Sequence, residues 1–445
     1  MTADGSAMRL PMQDEVVDLT CELIRIDSSN YGPSQETVGE AEAAEYCAER
    51  LREVGWHPQI VVTTSDRRRG MVLRIPGTDP QAPALVLHGH LDVVPAVAAD
   101  WTHPPFAAEI DDGFIWGRGA VDMKNMDAMI LAVCRHWGRT GERPRRDVIV
   151  TFFPDEEAGM VHGSQWFVDH RSDLFAGATE AVGEVGGFSV SVNDDLRLYP
   201  IQTAEKGIKW LRLRASRRAG HGSMIHRDNA VTELAEAVTR VGRHQWPIRR
   251  TKTVDRFLDE LSHAYGVDLS CDVDELLQRL GTLGLLVGAT LQNTANPTML
   301  EAGYKVNVVP TDATAYVDGR FLPGYEAEFD ETIRSLVASV SEDIELQILN
   351  EDIAIEAPFE TMTFELMASV LRQEDPAAKA VPYMISGGTD AKALSRLGID
   401  CYGFSPLLMP RDLDYWRLFH GVDERVPIDG LKFGVRVLHR FLMAC

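Results

Sequence analysis

Two apolar runs confine this chain more tightly than any other feature: ALVLHGHLDVV at 84–94 and DVIVTFF at 147–153. Each is too short to cross a membrane as a helix, and neither alternates apolar with polar residues as a strand with one wet face would. A strand covered on both faces fits them. Between them lies MKNMDAMILAVCRHW at 123–137, in which Met126, Met129, Ile130, Val133 and Trp137 mark one face of a helix. Strand, helix, strand in this order predicts an α/β fold with a mainly parallel sheet covered by helices. The flanking sequence repeats the theme. Val16, Leu19, Leu23 and Ile26 recur at helical spacing, ETVGEAEAAEYCAERLREVGW at 36–56 reads as a second helix stopped by Gly55, and IVVTT and MVLRI read as short strands.

Near Glu205 the texture changes. KGIKWLRLRAS alternates as a half-wet strand does, NAVTELAEAVTRVG is an amphipathic helix, and YKVNVVPTDATAYVDGRF, EFDETIRSLVASV and IELQILNED repeat strand, helix and strand. A chain of 445 residues exceeds one core of ordinary size. The expected organisation is a larger sheet domain in two parts, 1–205 and 353–445, interrupted at 206–352 by a four-stranded α+β domain. The stretch 243–287 fits no strand of that domain and reads as a helical insertion.

A net charge of -23 argues against nucleic acid or an anionic membrane as a partner, since both need a basic face. Cys21, Cys47, Cys134, Cys271, Cys401 and Cys445 are scattered without CxxC spacing, as reduced buried thiols would be. The first residues contain no apolar core of signal-peptide length, and no stretch of about 18 apolar residues occurs. The expected location is therefore the cytoplasm.

The chemistry collects where the strands end. In an open α/β sheet, ligands bind beyond the carboxyl ends of the strands. The first run ends in His88, His90 and Asp92, on one face of an extended strand; the second ends in PDEEAG, with Asp155, Glu156 and Glu157 side by side. TEAVGEVGG offers Glu180 and Glu184, FIWGRGAVDMKN places Asp122 just before a helix after a DDG hairpin turn, and HGVDE adds His420. Histidines and carboxylates converging without cysteine suit Zn²⁺, Co²⁺ or Mn²⁺. Two histidines and three carboxylates exceed the needs of one ion. A pair of ions about 3.5–4 Å apart, bridged by one carboxylate, would use them all and offset the repulsion within PDEEAG.

HGHLDVVP, WGRGAVDMK, DEEAG and HGVDE, in this order and with an inserted domain, resemble the M20 metallopeptidase and deacylase family over nearly the whole chain. The resemblance implies a cytosolic di-zinc hydrolase of an amide bond next to a free carboxylate, in a dipeptide, peptide or N-acyl amino acid. It also implies roles. His90 and Glu184 would bind one metal, Glu157 and His420 the other, and Asp122 both. Glu156 would be the general base, and Asp92 would orient a histidine or the catalytic group. The inserted domain would act as a lid and as the face of a homodimer. On it, His221 of RAGHGSMIH would stabilise the oxyanion, while Asn307, Arg320 and the loop residues Gly387, Gly388 and Thr389 would hold the substrate carboxylate.

Blander readings stand beside these. His88 is expected to be structural, Asp155 a capping or surface carboxylate, and DRRRG near Asp66 a solvated turn. Glu180, one helical turn from Glu184, competes with it, and His226 competes with His221. Arg320 could pair with Asp318 instead, and His136 is expected to be an ordinary packing histidine. Two rival functions are a non-catalytic metal- or peptide-binding protein and a di-metal phosphoesterase. The latter needs cations, for which only Arg320, Arg118 and Lys124 are at hand.

Overall fold

The computed structural model describes residues 11–32, 37–266, 275 and 282–445, which form two compact units. The first comprises residues up to 202 together with 357–382 and 389–445; the second comprises 203–356 with 383–388.

In the first unit the strands run in the order Gln59–Val62, Arg69–Ile75, Val148–Phe153, Ala84–His90, Ala178–Gly183, Asp400–Gly403 and Arg197–Glu205. The four central strands, from Val148–Phe153 to Asp400–Gly403, are mutually parallel, and their neighbours on either side are antiparallel. Both apolar runs occupy the centre, where every residue of Ala84–His90 and Val148–Phe153 is buried. The antiparallel flank has a local cause: Gln59–Val62 and Arg69–Ile75 are joined by six residues, enough for a hairpin and too few for a crossover.

The helix Lys124–Thr140 packs on the strand Ala84–His90, and the helices Pro11–Arg25 and Ile428–Ala444 pack on that helix. It ends at Gly141, whose left-handed φ of 78° lets its N–H reach Trp137 O. Met12, Val16, Leu19 and Leu23 supply the buried face of Pro11–Arg25. The second predicted helix is shorter than expected, Ala41–Arg52, with residues 37–40 outside it and 33–36 outside the described residues.

A smaller sheet matters for the site. Glu109–Asp111 and Phe114–Trp116 form the hairpin signalled by DDG, its turn made by Asp112 and Gly113 at φ 47° and 78°. Arg425–Pro427, more than 300 residues later, pairs with Phe114–Trp116 as a third strand. That pairing fixes HGVDE beside the WGRGAVD loop.

The second unit has a four-stranded antiparallel sheet, ordered Thr294–Ala302, Asp312–Phe321, Gly207–Ser216 and Glu345–Asp352. The helices Ala230–Gly242 and Glu326–Ala338 cover one face, where Leu211, Leu213, Ala315, Val317, Leu234 and Phe329 form the core. Within 243–287, the helix Lys252–Tyr265 is capped by Thr251, and Thr282–Thr290 follows. Much of the stretch between them, Cys271 included, lies outside the described residues. The other five cysteines are buried and form no disulfide with one another. Among the described residues no helix is long and apolar enough to cross a membrane.

Candidate metal centre

Strand register builds the first half of the site. His90 lies opposite Phe153 and Leu87 opposite Val182, so the parallel strands finish together and release His90, the PDEEAG turn and Glu184 at one edge. His90 is fully buried. Its Nδ1 lies 2.9 Å from the carbonyl of Asp92, and a proton there turns Nε2 toward Asp122 Oδ1 at 3.2 Å and Glu184 Oε2 at 3.6 Å. A side chain at Gly89 would come within 2.1 Å of Asp127 Oδ1, which explains the glycine between the histidines.

The cross-chain sheet builds the other half. Glu424, fully buried, accepts from Arg118 Nη1 at 2.6 Å and from the backbone N–H groups of Gly119, Val121 and Asp122 at 3.1, 2.7 and 3.1 Å. This carboxylate shapes the loop that presents Asp122. Asp122 then faces a histidine with each oxygen: Oδ1 toward His90, and Oδ2 toward His420 Nε2 at 3.2 Å. His420 Nε2 also lies 3.0 Å from Glu157 Oε2.

Asp92 organises the acidic turn through its backbone. Its oxygens accept from Glu156 N at 3.0 Å, Glu157 N at 3.1 Å and Asn30 Nδ2 at 2.8 Å. It is 3.6 Å from His90 Nδ1, so its direct hydrogen bonds go to the turn and not to the histidine.

Burial and mutual repulsion set the electrostatics. Burial, then Glu184, raises Glu156 well above the ordinary carboxylate pKa. Burial and Asp122 push Glu157 up to about 7, and burial also raises Glu184. Burial would raise Asp122 too, but hydrogen bonds from His420 and His90 hold it well below its usual value. Those with Asp122 and Glu157 lift His420 to about 10. His90 is raised despite its burial, chiefly by Glu184. Buried Glu157 Oε1 and Glu184 Oε1 have no hydrogen-bond partner among the described residues. Carboxylates that repel, histidines turned toward them and orphaned oxygens suit divalent cations: three donor groups, His90/Asp122/Glu184, His90/Glu156/Glu157 and Asp122/Glu157/His420, have the spacing to hold one.

Several expectations need correction. The DRRRG turn is not wholly solvated: Asp66 is exposed, but Arg68 is 7 % exposed and its Nη2 lies 3.0 Å from Asp155 Oδ1. Asp155 is likewise no surface group; it is buried in a left-handed conformation and also accepts from His162 N at 2.8 Å. Glu180 stands on the strand Ala178–Gly183 and not on a helix, and it is held by Arg146 Nη1 at 2.5 Å. His88 is buried against Gly183, and burial pushes its pKa down to about 3. Glu424, Arg68 and Asn30 were missed as supporting residues. Glu424 stood in view within HGVDE, but only the strand pairing shows what it holds.

The remaining predicted residues belong to the second unit or its border. His221, exposed in the short strand Gly220–His221, has Nδ1 2.8 Å from Ser223 Oγ. Asn307 O accepts from Gly222 N at 2.9 Å. Arg320 forms a two-point pair with Asp318, at 2.6 and 3.0 Å. Gly387 and Gly388 lie on the loop after the strand Ala378–Ile385, and buried Thr389 accepts from Ala391 N at 3.2 Å. The cations a phosphoesterase would need are engaged: Arg118 by Glu424, and Lys124 Nζ by the carbonyls of Leu23 and Ile26 at 3.0 and 2.6 Å.

Residues 86–444 match the family model described as Peptidase family M20/M25/M40. A probable carboxypeptidase S-like 2 of Dictyostelium discoideum is 30% identical over 379 residues, covering 80% of this chain and 70% of that protein. Aminoacylase-1 of Sus scrofa is 27% identical, with 90% and 89% covered. Among solved structures, the M20 family metallo-carboxypeptidase Sso-CP2 of Sulfolobus solfataricus superposes with a TM-score of 0.74 at 19% identity, covering 97% of this chain and 99% of that one.

Proposed function

The chain belongs to peptidase family M20/M25/M40, a family of metal-dependent amide hydrolases, and from that premise we propose that it hydrolyses an amide bond beside a free carboxylate at a two-zinc centre. The observation that carries the reading is Asp122, each of whose oxygens faces a different histidine at 3.2 Å. Asp122 would bridge two ions, with His90 and Glu184 completing one set and Glu157 and His420 the other. Bound there, the ions would supply a water of lowered pKa and polarise the scissile carbonyl.

The protein's own groups do the rest. Glu156 takes a proton from the attacking water and returns it to the departing amine nitrogen, so the C–N bond breaks as the new C–O bond holds. Asp92, through the N–H groups of Glu156 and Glu157, holds base and ligand in one geometry. We assign oxyanion stabilisation to His221 and the substrate carboxylate to Asn307, Arg320 and the Gly387, Gly388 and Thr389 loop, with the second unit as a lid. The relatives named as a carboxypeptidase and an aminoacylase support a peptide or N-acyl amino acid as substrate. A homodimer through an edge strand of the second unit and a cytoplasmic location complete the proposal.

The deciding experiment assays dipeptides and N-acetyl, N-succinyl and long-chain N-acyl amino acids with the Zn²⁺-loaded protein, its EDTA-treated form and Glu156→Gln. Turnover of at least one substrate class should vanish with EDTA and fall about 10²–10⁴-fold in the variant, while both metals stay bound. A Glu156→Gln variant that turns over normally would remove Glu156 as the base. No turnover of any amide would favour a binding protein.

A further inference from the structure

The C-terminal end of the helix Lys124–Thr140, the loop after it and the helix Ile428–Ala444 bring together a second group of donors: His136, Glu142 and His439. Glu142 Oε2 lies 3.4 Å from His136 Nε2 and 3.2 Å from His439 Nε2. The two imidazoles meet edge to face, with centroids 5.2 Å apart. One donor atom from each residue falls within 4.8 Å of the others.

Two observations separate this group from an ordinary hydrogen-bonded cluster. Zinc bonds of about 2.0–2.2 Å in a tetrahedron put neighbouring donor atoms roughly 3.3–3.6 Å apart. The 3.4 Å spacing lies at that edge length and the 3.2 Å spacing just below it, and both fall within the 3.0–3.6 Å range found around Asp122. In addition, His136 is only 5 % exposed, yet its Nε2, although 3.4 Å from Glu142 Oε2, has no hydrogen-bond partner among the described residues. A buried nitrogen left so carries an uncompensated desolvation cost. Glu142 bonded to His439 alone leaves that cost standing, whereas a cation shared by all three removes it.

We propose that His136, Glu142 and His439 form a separate single-ion site for a zinc-class divalent cation, with water at the open fourth position. His₂Glu is a complete set of protein ligands for zinc. The nearby guanidiniums do not oppose it strongly, because Glu374 accepts from both Arg436 at 2.8 Å and Arg440 at 2.6 Å. Glu142 is exposed, which leaves the group open to an ion from solvent. The ion would tie the C-terminal helix to the far end of the helix that starts just after Asp122, so its role is to brace that packing.

Metal counting tests this without relying on activity. Wild type, Glu142→Gln and His439→Gln are stripped with chelator, reloaded with Zn²⁺, desalted and analysed for zinc per chain. Each variant should hold one ion fewer than wild type and keep full hydrolytic activity. Titration of stripped wild type with Co²⁺ should show a tetrahedral visible band from one equivalent that Glu142→Gln lacks. Glu142 is about half exposed, so its substitution leaves the fold intact. Equal zinc content in wild type and both variants would overturn the site. The comparison is a difference between chains with the same Asp122 centre, so it stands whether or not that centre is assigned correctly.

Discussion

Asp92 shows how a carboxylate without a place among the donor groups can still govern the chemistry. Its two oxygens accept from the N–H groups of Glu156 and Glu157, so Asp92→Asn would turn an amide N–H₂ toward one of them. Displacing a base by about 1 Å costs on the order of 10²-fold in rate. The expected result is a kcat lowered about 10²-fold with zinc content unchanged, checked by steady-state kinetics beside elemental analysis. Arg320 makes the opposite kind of prediction. Its planar fork already grips the carboxylate of Asp318, and a substrate carboxylate would compete for the same fork. Arg320→Ala should raise KM about tenfold or more for substrates with a free carboxylate and leave kcat nearly unchanged; identical KM values for acid and amidated substrates would contradict the role.

Among elements, the three-stranded sheet is the one whose loss should matter most. It joins Phe114–Trp116 to Arg425–Pro427 and so delivers Glu424 to four donors of the Asp122 loop. Glu424→Ala would leave buried Arg118 and three N–H groups unpaired. Breaking a buried pair of this kind costs about 3–5 kcal/mol. The guanidinium midpoint should fall accordingly, and zinc affinity should fall with it if Asp122 on that loop is the bridging ligand proposed above. A variant that lost neither would show that the loop holds its shape by other means.

Across the whole molecule, folding brings negative charge together faster than it can be neutralised, and protons on the histidines partly compensate. His420 is raised to about 10, so its pairing with Asp122 and Glu157 contributes stability fully below the ordinary histidine pKa of about 6.5 and loses it as pH rises through about 10. A metal ligand must be neutral imidazole. Loading Zn²⁺ into chelator-treated protein at pH 7 should therefore release protons, and affinity should strengthen as pH rises. Calorimetry in buffers of different ionisation enthalpy measures this; a heat independent of the buffer would contradict it.

The apolar runs at 84–94 and 147–153 determined by themselves that this chain has a covered, largely parallel sheet, because continuous burial leaves few alternatives to such strands. Period-two alternation and strand-end position also place His90, Glu157 and Glu184 at one edge. Sequence could not show that Asp155 is buried, because that depends on Arg68 arriving from a turn nearly 90 residues earlier. It offered Glu180 as a rival to Glu184, and only the fold shows that Arg146 holds Glu180 on the strand while Glu184, just past the strand's end, faces His90. Nor could it give Glu424 its work, or pair His136 with His439 across 303 residues of chain. Local pattern records which face of an element is apolar. Which distant charge meets which, and so which carboxylates remain free to hold a cation, was decided only by the tertiary structure.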